Sequence, residues 1–420
     1  MTLEQSVGAE LSRLVDDRAG AVGIAVSGGS DSIALLYLTA KWARERSVAL
    51  KTVTVNHGLR SGAVQEIALA AEASARLEVP HDVVAWSWDG RGNLQARARD
   101  ARKQLIGDWA SQNNVGTVLL GHTKDDQAET VLMRLARGSG VDGLAGMNML
   151  SVNGGLKLGR PLLNTRREDL RTWLEAQSIP WADDPSNEDK RFDRVKAREM
   201  LVHLDELGLT VDRLTQTAEH MHLARQTLGS VAFDLAIAEI ELRSGALFIP
   251  DTVISLDRGE TARRILSEAI RWIGRNTYRP RLEALLAAVE TVRGGRSTTL
   301  GGCLLLPPIK GRDGLIVTRE PAATGPRVAL KHGETNVWDG RWRILKPSSL
   351  RNEDQYFVGS LGGDGLMQCD WRQSGVPREV LEGTLGIWKD HELVAAPLAG
   401  FDNGWDAICE PDFASHLLSH

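Results

Sequence analysis

The sequence predicts an α/β architecture: a parallel sheet flanked by helices, followed by a helical domain and a small β-rich C-terminal domain. Short apolar runs alternate with segments of helical periodicity through the first third of the 420 residues. Helices of ten or more residues between such strands give parallel pairing, with crossovers covering both faces. Beyond residue 206 helical periodicity prevails to about residue 300, and from 330 to 420 short strand candidates lie between glycines.

Residues 3–17 read as an amphipathic helix with Leu3, Val7, Leu11, Leu14 and Val15 on one side. Strands follow at Ala21–Val26, Lys51–Val55, Asp82–Trp86 and Val115–Leu120. Helices fall between and after them at Asp31–Arg46, Ala63–Leu77, Asn93–Gln112 and Asp125–Arg137. Arg137–Leu163 is a Gly-rich loop with short β elements, and Arg166–Gln177 a helix with Thr165 as its cap. Pro180–Asn187 is rich in turn residues, and Asp189–Leu201 returns to basic helix. Asp212–Ala238 is a long helix, Leu247–Leu256 one or two strands, and Thr261–Trp272 and Arg281–Val292 are helices. Gly301–Thr318 forms a hairpin, and Pro321–Pro326 a linker. The resulting divisions are 1–205, 206–320 and 327–420. Trp338, Trp342, Trp371, Trp388 and Trp405 of the last region could stack on bases, though core packing is the commoner use.

Ligands of parallel sheets sit beyond the carboxyl ends of the strands. Three motifs fall there: Ser27-Gly28-Gly29-Ser30-Asp31-Ser32, Asn56-His57 and Gly121-His122. Glycines let backbone wrap an anion, the following helix offers unpaired N–H groups, and serine hydroxyls add donors. The loop lacks both the Gly-Lys-Ser/Thr ending and the G-x-G-x-x-G spacing of the commonest nucleotide loops. Asp125, Asp126 and Glu129 open a helix, where acidic residues also serve the helix itself. Arg99 and Arg102 stand one turn apart and could meet charge on a phosphate.

Ser-Gly-Gly-Ser-Asp-Ser after a strand resembles the signature of the N-type ATP pyrophosphatases, whose PP-loop fold activates substrates as adenylates. Further stretches are similar to the tRNA(Ile)-lysidine synthetase family. They include Val55–Arg60, Ala98-Arg99 with Arg102, Gly121–Thr130, Arg137–Gly140 with Gly143-Leu144, Arg160–Leu163, and Trp181 with Asp183, Asp184, Ser186 and Asn187. The resemblance spans about the first half of the chain. It implies ATP bound by Ser27, Gly28, Gly29, Ser30, Asp31, Ser32, His57, Arg99, Gly121 and His122, with Asp31, Arg99 and Asp126 catalytic. Asp126 and Glu129 would hold the ammonium of free L-lysine, and Asp31 and Asp125 would be available to Mg²⁺. Arg160, Arg194 and Arg198 would approach tRNA(Ile) with its CAU anticodon, or the adenylate. Val195 stands where that family usually has asparagine, and Lys103 where it usually has an aromatic.

The implied reaction is ligation of lysine to the wobble cytidine at the expense of ATP. A tRNA thiolase of the same superfamily is the nearest rival, but such enzymes generally need active-site cysteines, and Cys303, Cys369 and Cys409 all lie past residue 300. A non-catalytic ATP sensor would have no use for the long C-terminal extension. The net charge of −5 advertises no nucleic-acid binder, yet Arg258–Arg296 carries nine arginines against four glutamates. Arg264, Arg271 and Arg275 share roughly one helix face there, which would be either solvated or set against RNA backbone. No membrane-spanning run, secretory leader, disulfide framework or structural metal is expected, and a cytoplasmic location is.

Overall fold

Apolar strands need cover on both faces, and in the computed structural model the helices of residues 1–225 supply it. The structure describes residues 1–16, 20–56, 63–87, 94–153, 155–183, 193–255, 259–331, 335–347, 355–410 and 412–418. Two compact units result, residues 1–225 and 226–420.

The first unit runs α1 (Leu3–Leu14), β1 (Ala21–Ala25), α2 (Ser30–Arg46), β2 (Leu50–Asn56), α3 (Ala63–Arg76), β3 (His81–Ala85), α4 (Leu94–Gln112) and β4 (Val115–Leu120). It continues with α5 (Lys124–Ala136), α6 (Val141–Leu144), β5 (Leu150–Asn153), β6 (Leu156–Gly159), α7 (Arg167–Ala176), α8 (Asp193–Asp205) and most of α9 (Val211–Glu239). The sheet order is β3-β2-β1-β4-β6-β5, parallel except for β5. Strand alternation divides the core in two. Ile24 and Leu119 join Val7, Leu11, Ile33, Leu36, Leu170 and Leu174 on one face, while Ala25, Val118 and Leu120 join Ile106 and Trp109 on the other. The order reverses between β1 and β4, so the loops after these two strands meet at one crevice.

The α7 cap differs from the expectation. Thr165 does not cap it; its carbonyl instead accepts the Lys124 N–H at 2.9 Å, and Arg166 is the N-cap residue, with no side-chain capping bond. Asp125 of α5 accepts the Arg167 N–H at 2.7 Å. A carboxylate from another helix does the capping, which local sequence spacing does not reveal.

The second unit comprises β7 (Glu241–Arg243), β8 (Ala246–Ile249), α10 (Asp251–Ile254), α11 (Gly259–Gly274), α12 (Leu282–Arg293), β9 (Thr298–Leu300), β10 (Cys303–Leu306) and β11 (Leu315–Arg319). It ends with β12 (Val328–Ala329), β13 (Asn336–Trp338), β14 (Trp342–Leu345), β15 (Phe357–Ser360), α13 (Gly362–Leu366), α14 (Arg378–Glu382), β16 (Leu385–Lys389), β17 (Glu392–Ala395), β18 (Asp406–Cys409) and α15 (Phe413–Leu418). The anticipated hairpin is β10–β11, inside a five-stranded sheet. Leu247–Leu256 gives one strand and then a helical turn, because Pro250 supplies no ladder N–H and takes the N-cap position of α10.

The expected boundaries at 205/206 and 320/327 are not where the compact units divide. Phe413 and Leu417, from the far end of the chain, pack with Trp272, Ile273 and Val317 in one core. Arg319 grips Asp339 through two nitrogens, at 3.0 and 3.1 Å, while Asp339 also takes the Gly325 N–H, so the expected linker is pinned down. Trp338, Trp342, Trp388 and Trp405 are buried and Trp371 packs partly buried, as core residues do. No helix among the described residues is long and apolar enough to cross a membrane.

Candidate active site

The loop after β1 owes its shape to glycine and serine. Gly28 has φ +88°, and a Cβ there would stand 2.6 Å from the Glu66 carbonyl, so only glycine fits. The Ser32 hydroxyl donates to the Gly29 carbonyl at 2.9 Å and accepts the Ser27 N–H at 3.1 Å. These bonds fold the loop over the N-terminus of α2, whose first N–H groups form an anion seat. Gly121, after β4, also sits close: a Cβ there would lie 3.2 Å from the Asp31 carbonyl. The two loops thus share one crevice edge, and Asp31 and His122 are brought together with it.

His122 is largely buried, and its Nδ1 has no hydrogen-bond partner among the described residues. Burial pushes the imidazole down to about 4, with Arg160, Arg102 and Arg194 adding to the effect against the pull of Asp126. It is therefore neutral at pH 7, amid the positive potential of three arginines. Arg160 anchors by donating to the Asn148 carbonyl at 2.8 Å and Ser151 at 3.2 Å, while its Nε and that of Arg194 lack partners among the described residues. Arginine donors without partners around a neutral imidazole suit an anionic ligand.

The acidic half of the site lies on α5. Thr123 and Asp126 form a capping box: the Asp126 carboxylate accepts the Thr123 N–H and hydroxyl, both at 2.8 Å. Burial would raise the Asp126 carboxyl, but the charge of Arg167 and the Thr123 N–H outweigh it and hold the group below its usual range. Glu129 is 1% exposed. Its Oε1 accepts Arg198 Nε at 3.0 Å, whereas its Oε2 is buried without a partner among the described residues. Burial, reinforced by Asp126, pushes Glu129 above the usual carboxylate range despite Arg198 and Arg167. Asp31 is likewise raised by burial, opposed by Arg167.

Arg167, which the sequence reading did not single out, stands amid these acids. Its Nε donates to Asp31 Oδ2 at 2.9 Å, and its Nη2 and Nη1 lie 3.2 Å from Asp126 Oδ1 and 3.6 Å from Glu129 Oε1. One sequence signal was available. A cation in the first turn of a helix opposes the helix dipole, so Arg166-Arg167 at the start of α7 called for acidic partners elsewhere.

Several expected site residues land differently. Asp125 is engaged at the N-terminus of α7, accepting the Arg167 N–H and lying 3.5 Å from Arg166 Nε, which leaves Asp31 as the carboxylate beside the phosphate seat. Arg198 meets Glu129 instead of standing free for RNA. In the second unit Arg264 is 1% exposed and paired with Glu260, and Arg271 turns onto buried Glu268 at 2.7 Å. The proposed arginine face is corrected accordingly: the apolar stripe of α11 leaves no solvent for Arg264, and only Arg275 of the three is exposed. Val195 is 8% exposed, so α8 places hydrocarbon at this position. His57, Asp184, Ser186 and Asn187 lie outside the described residues, as does the Arg99 side chain, although its backbone belongs to α4.

Comparison with known proteins agrees with this geometry. Residues 3–204 match the PP-loop domain family. A tRNA(Ile)-lysidine synthase of Ruegeria pomeroyi is 43% identical over 408 residues, covering 95% of this chain and 94% of that protein. Another, from Wolbachia pipientis, is 34% identical over 338 residues and 76% of each chain, and one from Methylobacterium nodulans is 38% identical over 300 residues, 68% of this chain and 87% of its own. A glycine- and serine-built loop at the sheet's switch point, an acidic cluster beside it, and similarity running nearly end to end together place this chain in the tRNA(Ile)-lysidine synthase family.

Proposed function

We propose that this chain uses ATP to adenylate the C2 oxygen of the wobble cytidine of tRNA(Ile) with a CAU anticodon, and then joins L-lysine at C2. In the first step the C2 oxygen attacks the α-phosphorus and pyrophosphate leaves. In the second, the side-chain amine of lysine attacks C2, AMP departs with the oxygen, and the amine sheds its protons. The product, lysidine, changes codon reading from AUG to AUA.

The observation that carries this reading is the buried Oε2 of Glu129, which has no partner among the described residues and belongs to a carboxylate that Arg167 links to Asp31 of the phosphate loop. Three carboxylates, Asp31, Asp126 and Glu129, directly contact two guanidiniums, those of Arg167 and Arg198. One negative charge remains, which a substrate ammonium would neutralise. Asp126 and Glu129 are the lysine-binding pair in this reading. The Ser27–Ser32 loop and the α2 N-terminus hold the leaving pyrophosphate, and Arg160, Arg194 and Arg102, with Arg99, meet charge on the α-phosphate. Neutral His122 would donate to or accept from the nucleotide without adding charge.

Mg²⁺ fits at Asp31, a carboxylate adjoining the phosphate seat, and not at Asp125. Such an ion is held by one or two carboxylates plus phosphates, and it would neutralise phosphate charge during transfer. A thiolase reading lacks support, since no cysteine precedes Cys303. An ATP sensor would gain nothing from an acidic recess beside its phosphate loop.

The test incubates the protein with ATP, Mg²⁺, radiolabelled lysine and a CAU-anticodon transcript, alongside the transcript with uridine at the wobble position. Label on the cytidine transcript alone, with AMP released in equal amount, is the expected result. Pyrophosphate release without label would remove lysine as the second substrate, and absence of both would overturn the reading.

A further inference from the structure

The carboxylates that Arg167 touches come from two different half-sites. Asp31 belongs to the first turn of α2, directly behind the phosphate loop, whereas Asp126 and Glu129 belong to α5. One planar fork spans them: Nε to Asp31 at 2.9 Å, Nη2 to Asp126 at 3.2 Å and Nη1 to Glu129 at 3.6 Å. The rigid, divergent donors of a guanidinium allow this, and a lysine ammonium on its flexible stem would not. The base of the side chain is equally fixed. Asp125 clamps the Arg167 N–H at 2.7 Å, and Leu170 and Leu174, both 0% exposed, lock α7 into the core with α2.

Charge makes the arrangement consequential. Three carboxylates at this range, two of them buried, repel one another, and without Arg167 the remaining guanidinium in direct contact among the described residues would be Arg198. The acids would then separate, or take up protons or adventitious cations. Either outcome changes the recess offered to an amine.

We propose that Arg167 is a positioning residue for the second step, holding Asp31 of the nucleotide half-site in register with the Asp126–Glu129 amine half-site so that one ammonium is accepted beside the adenylate. The assignment rests on the lysine-transfer reading above. Arg167 acts through the carboxylates; it does not itself bond the reacting atoms. Its charge offsets part of the acid it touches, so that the Asp126–Glu129 pair can be completed by a single ammonium.

The test uses the full chain with Arg167→Gln and Arg167→Lys, tRNA transcript and ATP. Pyrophosphate release without lysine reports adenylation, and lysine titration separates KM from kcat. In Arg167→Gln the KM for lysine should rise about tenfold or more, while adenylation falls by only about threefold. Arg167→Lys, which keeps the charge and lacks the fork, should recover adenylation while leaving the lysine KM raised. Ornithine, with the same ammonium on a shorter chain, should be discriminated less sharply by both variants than by the unaltered protein. An unchanged or lowered lysine KM in either variant would overturn the proposal, since Arg167 would then be irrelevant to the amine or a competitor for its place. Equal loss of both steps in Arg167→Lys, with a lowered thermal midpoint, would also overturn it in favour of a purely structural role. Failure of the unaltered protein to transfer lysine would defeat the underlying reading, and that arm is scored separately from the variants.

Discussion

Each unit contains a cluster of arginine and carboxylate, and the one around Glu129 and the one around Glu268 are built on opposite arithmetic. In the first unit, Asp31, Asp126 and Glu129 outnumber Arg167 and Arg198, and one carboxylate oxygen is left without a partner among the described residues. In the second, a single fully buried carboxylate, Glu268, is gripped by Arg271 at 2.7 Å, by His416 at 2.9 Å and by Arg279. Residues from α11, the segment after it and α15 are thereby tied together. A saturated acid closes a fold, whereas acid in excess is an invitation to an external cation. The same two residue types thus yield a staple in one place and, in the reading proposed above, an ammonium site in the other.

Breaking the staple should have the largest effect. Glu268→Gln leaves Arg271 and Arg279 short of a counter-charge in the interior, and a loss of about 3–5 kcal/mol of stability is expected. Urea or thermal unfolding of the full chain reads it directly. A loss below about 1 kcal/mol would mean that the cluster is better solvated than its burial implies, and the contrast with the first unit would collapse.

Glu129→Gln should do the reverse. Lysine transfer per enzyme should fall by about a hundredfold, or about 2.7 kcal/mol in activation free energy, because the recess loses its surplus charge. The folded chain should not suffer in the same way. Glu129 is raised above its ordinary value of 4.5, so the stability it contributes is complete below that value and is lost as pH rises through the elevated one. At pH 7.5 the carboxylate is a burden on the fold, and the unfolding midpoint of the glutamine variant should not drop. A variant that loses stability and activity together would make the first unit's cluster another staple.

The pH dependence of the first unit sharpens the same contrast. His122 falls from 6.5 to about 4 in the folded chain. Above pH 6.5 it is neutral folded and unfolded, and its contribution is fully present. As pH drops towards 4 the unfolded chain takes up a proton that the folded one refuses, so stability declines by up to about 1.4 kcal/mol per pH unit. His122→Gln should flatten this slope between pH 6.5 and 5, read as the difference in unfolding midpoint from the unaltered chain across that range. Identical slopes would mean that burial does not hold the His122 imidazole neutral in the folded chain.

Much of the first unit was legible because its signals are local. Strand alternation, helix periodicity and the Ser/Gly turn each reside in a few consecutive residues, and the sheet follows from them. Asp126 and Glu129 were legible for the same reason, being one turn apart on a helix that starts at a strand end. Arg167 was not, because its meaning is 136 residues away at Asp31 and 38 away at Glu129. The Thr165 cap failed likewise, since Asp125, from another helix, had taken the Arg167 N–H. In the second unit, periodicity put Arg264, Arg271 and Arg275 on one face but could not say whether that face met water. Glu268, three residues before Arg271, carries no sequence sign of burial, yet His416 from the chain's far end meets it in the interior.

Arg275 is where the smallest effect should appear, and it tests what remains of the arginine face. It follows the end of α11 with φ +56°, is exposed, and lies against the backbone of Gly340. Arg275→Gln preserves the backbone demand while removing one charge, so unfolding should be unaffected. If this arginine meets a phosphate, tRNA affinity should weaken by about two- to fivefold at low salt, and the slope of log affinity against log salt should become shallower by about one unit. Arg264→Gln gives the opposite pattern, with lost stability and an unchanged salt slope, because a guanidinium at 1% exposure cannot release a counterion from RNA. Equal salt slopes for Arg275→Gln and the unaltered chain would assign tRNA contact to other cations and leave the second unit's described arginine cluster entirely to folding.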